Sequence, residues 1–203
     1  MLKKSLVLIL LVATTNTFAG NWQVKVGGTI LAPTADNGQL AGGAVTGVEA
    51  KRGYSLTPSV EYFFTDTNLS TELLLATPFK HDVTSNGTKI ASFKHLPPTV
   101  TVKYNFNNST PVTPYVGLGG TMVIPFGEKT TGPIAGTKLD AKVAFGVAAQ
   151  VGAIYKPDPA QNWGIFFDTR YVNVKSDLKL NGESIGTLKV NPLVYTLGVS
   201  YKF

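Results

Sequence analysis

The chain of 203 residues contains no cysteine, and only two histidines, two methionines and two tryptophans. Without thiols there is no disulfide framework, no thiolate zinc cluster and no thiol nucleophile, so stability must come from packing, hydrogen bonds or the surrounding solvent. Charge is scarce as well: Asp, Glu, Lys and Arg make up 15% of the chain, well below the roughly 25% of soluble domains. No Lys/Arg run or basic aromatic motif points to nucleic acid. Past the N-terminus no stretch approaches the roughly 20 apolar residues that a transmembrane helix needs. Apolar residues must therefore be distributed in a pattern.

The N-terminus gives the compartment. Lys3 and Lys4 form a short positive region, Leu6 to Ala13 an apolar run, and Thr17-Phe18-Ala19 a small-x-small site. These are the parts of an export signal, too short for a membrane anchor, with cleavage expected before Gly20 or Asn21. Residues 1–19 are read as a cleaved signal peptide and 20–203 as one domain, since about 183 residues suit one domain and no Pro/Ser linker divides them. Loss of the leader lowers the formal charge from +6 to +4, with 16 basic against 12 acidic residues left.

Side chains alternate in type every second residue over eight stretches: Trp22 to Leu31, Tyr54 to Phe64, Leu69 to Phe79, Thr99 to Phe106, Pro114 to Ile124, Lys142 to Tyr155, Trp163 to Val174 and Val190 to Phe203. Period two is the signature of a strand with two unlike faces. Connections at 65–68, 107–113 and 156–162 are short and turn-rich, whereas 32–53, 80–98, 125–141 and 175–189 are long and polar. Because the two kinds alternate, all long connections fall at one end of an antiparallel array. Asn86-Gly87 and Asn181-Gly182 are expected to mark loop-tip turns.

The two faces discriminate between architectures. The first stretch sets Trp22, Val24, Val26 and Ile30 against Gln23, Lys25 and Thr29; the last sets Leu193, Tyr195, Leu197, Val199, Tyr201 and Phe203 against Thr196, Ser200 and Lys202. A soluble barrel of lipocalin type would hide the apolar face inside. A transmembrane barrel reverses this: small or charged side chains fill a narrow interior, apolar ones meet lipid, and aromatics gather in a girdle. Trp22, Tyr62, Phe64, Tyr104, Phe106, Tyr155, Trp163, Tyr201 and Phe203 gather at the short-turn end. Lipid also requires closure, because an unpaired strand edge has nothing to bond. The expected fold is all-β: an eight-stranded antiparallel transmembrane β-barrel with short periplasmic turns and long extracellular loops, the last strand pairing with the first. Tyr201 and the terminal Phe203 look like the signal read by the barrel assembly machinery of the outer membrane.

Several strings resemble one family. "VEYFFTDTNLSTELLLATPFKHDV" (60–83), "HLPPTVTVKYNF" (95–106), "PYVGLGG" (114–120), "AAQVGAIY" (148–155) and the final "YKF" are similar, in order, to the OmpW family of bacterial outer-membrane proteins. That resemblance implies an eight-stranded barrel with periplasmic termini, multi-pass in the cell outer membrane, whose interior passes small hydrophobic compounds; some members serve as phage or bacteriocin receptors.

The interior can be read by height. Pairing Phe64 with Leu69 sets Glu61 opposite Glu72, two carboxylates that repel unless cations lie beside them. Lys25 and Lys103 are expected at the same level, with Asp168 and Arg170 as a second pair somewhat higher. Above them the inward positions Leu74, Ala76, Pro78, Val123, Val172 and Val194 are apolar. The charges are either a structural plug or a floor that a greasy solute cannot pass, since desolvating them is costly. Pro78 and Pro97-Pro98 lack the amides needed for ladder bonds, so they either end strands or mark a candidate lateral opening. His81 and His95 bracket the second long connection; two His without carboxylates make a poor metal site, and hydrogen-bonding or lipopolysaccharide-facing roles suit them better. Lys51, Arg52, Lys80, Lys89 and Lys94 fall near the outer rim, either solvated or facing anionic headgroups. His81-Asp82 is the only adjacent pair suited to catalysis and no nucleophile motif accompanies it. The expectation is a non-enzymatic channel without cofactor or metal, in contact with outer-membrane lipids, lipopolysaccharide and small hydrophobic solutes. The alternative is a structural or receptor-type barrel with a plugged lumen and loop-mediated binding.

Overall fold

The computed structural model describes residues 20–35, 39–40, 43, 45–158 and 160–203; the leader expected over 1–19 lies outside the described residues. Eight wall strands follow the period-two stretches: β1 Trp22–Ala32, β2 Gly53–Phe63, β3 Leu69–Leu74, β4 Thr99–Asn105, β5 Val112–Thr130, β6 Ala144–Tyr155, β7 Trp163–Leu180 and β8 Leu193–Lys202. Each is antiparallel to the next, and β8 returns to β1, from Gln23 opposite Lys202 to Ala32 opposite Leu193. Closure pairs the free edges of the first and last strands, which in lipid would leave unpaired amides and carbonyls at several kcal/mol each. The first and last described residues are tied into the seam: Gly20 N–H donates to the Phe203 carbonyl (2.8 Å) and Phe203 N–H to the Trp22 carbonyl (2.9 Å).

At the seam Gly27 opposes Gly198. A Cβ on Gly198 would collide with the Val26 carbonyl and Gly27 Cα, and the Phe166 ring covers this glycine pair on the inside. Here the backbones approach so closely that a side chain has no room.

Through the membrane the outer face is apolar and the inner face polar. Val24, Val26 and Ile30 of β1 are exposed while Gln23, Lys25 and Thr29 are buried, and the same holds for Leu197 and Val199 against Thr196 and Ser200 of β8. At the short-turn end, aromatic pairs Trp22–Tyr62, Tyr104–Phe106 and Tyr201–Phe203 stand 4.9, 5.0 and 5.2 Å apart. Exposed Tyr54, Phe145, Tyr171 and Tyr195 form a second girdle at the other end, which the sequence reading overlooked.

Beyond that second girdle the polarity reverses. On β7 the outward residues change from Ile165, Phe167 and Tyr171 to Asn173, Lys175, Asp177 and Lys179, and the inward ones from Asp168 and Arg170 to Val172, Val174, Ser176 and Leu178. The strand runs on unbroken; only the solvent on its outer face has changed, from lipid to water. Two expected boundaries are corrected: β7 runs to Leu180, because alternation continues with its sign exchanged, and β5 to Thr130, because it pairs with Thr88–Leu96 through a bulge between Phe126 and Lys129. Much of what was expected as loop is also sheet. Phe79–Ser85 pairs with Thr88–Leu96, which adds to β5, and Glu183–Lys189 adds to β7. Asn86-Gly87 and Asn181-Gly182 turn these hairpins with positive φ at both positions (46° and 79°, 50° and 90°), the geometry that favours Asn-Gly.

A third correction concerns β3, expected to run to Phe79. Its ladder ends at Leu74, and four residues lie between inward Leu74 and inward Phe79, an even number that cancels the alternation. Ala76 and Pro78 therefore do not line the interior; Pro78 is exposed and Phe79 is buried in its place.

Candidate functional site

The lower half of the lumen is filled by ions. Glu61 opposes Glu72 across the β2–β3 ladder, and two lysines hold the carboxylates together. Lys25 Nζ lies 2.8 Å from Glu61 and 2.9 Å from Glu72; Lys103 Nζ lies 2.8 Å from Glu61 and 3.5 Å from Glu72. Asp168 and Arg170, expected as a separate pair, belong to the same network: Arg170 contacts Glu72 at 3.4 Å and Asp168 at 3.3 Å. Three cations and three anions thus sum to zero, all at most 3% exposed. Neutrality and mutual contact are what make such burial tolerable.

Neutral partners complete the network. The hydroxyls of Ser59 and Ser70 donate to Glu72 and Glu61 at 2.6 and 2.5 Å, while the Gln150 amide and the Tyr115 hydroxyl donate to Asp168 at 3.1 and 3.2 Å. The Tyr115 ring also lies 3.8 Å from Lys103 Nζ, a cation–π contact strengthened by burial. Tyr115 escaped the sequence reading because "PYVGLGG" registers first as a glycine-rich strand; its inward parity was the available signal. Gln150, Ser59 and Ser70 carried the same signal, each being inward and polar.

Above the ions the lining changes in two steps. A rung of threonines comes first: Thr29 bonds Thr57 and Thr196 at 2.6 and 3.0 Å, and Thr99 donates to Thr121 at 2.8 Å. Then follows a cavity of about 130 Å3 lined mostly by apolar side chains, Leu74, Val123, Val172 and Val194 among them, together with Leu31 and Phe79. Arg170 reaches it from below, and its Nε and Nη1 have no hydrogen-bond partner among the described residues. Overhead, Val48, Val83, Ile90, Leu178 and Leu188 pack into an apolar cluster drawn from the extended strands and hairpins. Polarity reversal on β7 is what lets an apolar chamber stand on an ionic base.

The wall beside this chamber is incomplete between β3 and β4. Their last paired residues are Leu74 and Thr99, and the next pair above is Phe79 with His95. Among the described residues no backbone hydrogen bond joins 75–78 to 96–98. Both sides bond away from each other instead: Leu75 and Thr77 donate to the carbonyls of Pro58 and Leu56 (2.9 and 2.8 Å), and Met122 donates to that of Pro98 (3.0 Å). Pro78, Pro97 and Pro98 all fall in this interval, and Pro97 lines the cavity.

His81 and His95 meet. Their rings stack 5.0 Å apart, flanked by Phe79 and Phe93, and both face the cavity. A lipopolysaccharide-facing role does not fit that orientation. The outward residues of the same hairpin are Lys80, Lys89 and Lys94, all exposed along with Lys51 and Arg52, which sets it above the lipid belt. Lys51 pairs with Glu49 and Lys89 with Asp82, each at 2.8 Å, while Lys80 and Lys94 oppose each other across the ladder. Burial lowers the pKa of both imidazoles, that of His95 to about 3 with His81 adding to the effect, so both rings are neutral.

Comparison with known proteins bears on this arrangement. A match to the OmpW family spans residues 18–203. An uncharacterized outer-membrane protein, y4mB of Sinorhizobium fredii, is 31% identical over 201 residues, covering 94% of this chain and 84% of its own. Outer membrane protein W of Escherichia coli is 30% identical over 193 residues, covering 91% and 89%. Among solved structures, the outer membrane protein OprG from Pseudomonas aeruginosa superposes with a TM-score of 0.75 at 25% identity, covering 91% of this chain and 96% of that one. The protein is an outer-membrane β-barrel surrounded by lipid and lipopolysaccharide, and the chain belongs to the OmpW family.

Proposed function

We propose that this barrel is a narrow passive channel through which small hydrophobic molecules cross the outer leaflet and leave sideways into the membrane. The observation that carries the reading is the position of the apolar chamber, seated on a neutral ionic network and beside an unpaired stretch of wall. A solute that reached the threonine rung would have to displace paired, buried charges to continue downward, which costs more than it gains. The unpaired stretch offers an apolar route past residues 75–78 and 96–98. No covalent step is involved and no residue is assigned a catalytic role. Tyr201 and Phe203 would present the assembly signal, and the leader at 1–19 would direct export.

The plugged, structural barrel is favoured by one observation, the apolar cluster of Val48, Val83, Leu178 and Leu188 that covers the chamber. Uptake of an apolar tracer by cells with and without the protein separates the two: uptake equal in both cells favours the plug. Replacing Pro78, Pro97 and Pro98 together by Ala restores three amides to the interval and allows the ladder to close. Tracer uptake is expected to fall; unchanged uptake would defeat lateral exit while leaving the channel itself standing.

A further inference from the structure

The imidazoles at the chamber wall have a use that an inert lining would not require. His81 is 1% exposed and His95 5% exposed, yet among the described residues His81 Nε2 and His95 Nδ1 have no hydrogen-bond partner. The tautomer of His81 follows from its other nitrogen. Nδ1 lies 2.6 Å from the Lys51 carbonyl, an acceptor only, so in the neutral ring Nδ1 carries the hydrogen and Nε2 presents a bare lone pair. His95 carries one N–H and one lone pair of its own. Leaving such atoms buried and unmatched costs about 1–3 kcal/mol each, and Phe at either position would keep the stack without that cost.

We propose that His81 and His95 form a polar contact for the cargo, and that the chamber selects molecules with an apolar body and a single hydroxyl over bare hydrocarbons. A hydroxyl is the smallest group able both to donate to His81 Nε2 and to accept from a His95 N–H. An ether or ketone oxygen only accepts, and leaves the His81 lone pair unmatched. Sites built to hydrogen-bond a group reject isosteres lacking it more strongly than apolar pockets discriminate by size. The rings are held for this purpose. Gly53 packs against His81 so tightly that a Cβ there would lie 2.8 Å from its Nε2, and Phe79 and Phe93 bracket the stack. His95 pairs with Phe79 directly above the unpaired stretch, so the contact lies where an outgoing molecule would turn into the wall.

This inference rests on the channel reading, and the test separates the two. Uptake of hexan-1-ol, methyl pentyl ether and n-heptane, equal in heavy atoms, is compared in cells lacking the protein, cells carrying it, and cells carrying His81→Phe/His95→Phe. Each protein-dependent rate is divided by that for n-heptane. The alcohol is expected to exceed the other two by roughly 2- to 10-fold, the worth of one or two net hydrogen bonds, and the double variant to lose that excess while keeping n-heptane uptake. Equal enhancement of all three solutes, or an alcohol preference that survives in the double variant, overturns the hydroxyl contact but leaves the channel. No protein-dependent uptake of any solute removes both. Should the double variant fail to reach the outer membrane, imidazole nitrogen resonances of the unmodified protein in lipid nanodiscs decide. A shift at His81 Nε2 with hexan-1-ol and none with the ether is expected, and the same response to both overturns the proposal.

Discussion

Glu72 is the most connected member of the ionic floor, and neutralising it tests whether that floor is dry. It contacts Lys25, Lys103 and Arg170 at 2.9, 3.5 and 3.4 Å and accepts from Ser59 at 2.6 Å. In Glu72→Gln the two remaining carboxylates face three cations, and one positive charge is left uncompensated. A single pair near 3 Å is worth about 5–6 kcal/mol of gross attraction at an effective dielectric near 20. Removing one partner of a buried pair costs about 3–5 kcal/mol net. That is a large share of the roughly 5–15 kcal/mol by which folded domains exceed their unfolded chains. The assay is urea unfolding of the barrel refolded in lipid vesicles, followed by the loss of its heat-modifiable migration. The midpoint should fall sharply, and adding Lys25→Met should recover a good part of the loss, because Lys103 and Arg170 then balance Glu61 and Asp168. A Glu72→Gln midpoint corresponding to less than about 1 kcal/mol, the scale of a solvated pair, would refute the reasoning. Water would then penetrate the lumen, and the network would bar nothing.

Other expectations follow from separate parts of the molecule. Gly198→Val at the seam should lower the folded yield and cost about 1–3 kcal/mol, read as unfolded migration on gels, whereas Gly87→Ala, whose Cβ would meet nothing within 4 Å, should fold with only the modest strain of positive φ. His95 is held neutral by a pKa lowered to about 3 from 6.5; the unfolded hairpin binds the extra proton first, so its contribution is full above about pH 6.5 and is lost as pH falls toward 3. Hydrogen-exchange protection across residues 79–96, taken relative to the unstructured chain at the same pH, should therefore fall over that window, and His81→Phe/His95→Phe should flatten the change. Lys80 and Lys94 oppose each other with like charge, which anionic headgroups would relieve. Lys80→Gln/Lys94→Gln should weaken binding to immobilised lipopolysaccharide several-fold, and undiminished binding would leave these lysines simply solvated.

Legibility in the sequence was uneven, for physical reasons. Within the lipid belt each residue must satisfy one of two opposite solvents, so β1 and β8 could be read almost residue by residue, and so could the meeting of Glu61 with Glu72. The network's unity was harder to read, because strand tilt brings Arg170 to Glu72 in a way that heights counted along separate strands miss. The end of β7 was lost because charged residues such as Lys175 and Asp177 suggest loop, although alternation persists there with water outside, and that of β5 because a bulge at Gly127 interrupts the alternation. Ala76 and Pro78 were misplaced by extending a count through a parity change that the proline itself marks. The histidines could be placed at the base of one connection, but the stack they form depends on the hairpin's register, which no short pattern declares.

The exchange of polarity along β7 also fixes how deep the molecule sits. Sinking by two residues, roughly 6–7 Å along a strand, would drag Asn173 into hydrocarbon and bring Lys175 to its edge; rising by as much would strip lipid from Tyr171. Either displacement meets opposition from both directions at once, so the barrel carries its own waterline, and a bilayer of the wrong thickness should stretch or thin around it rather than shift it.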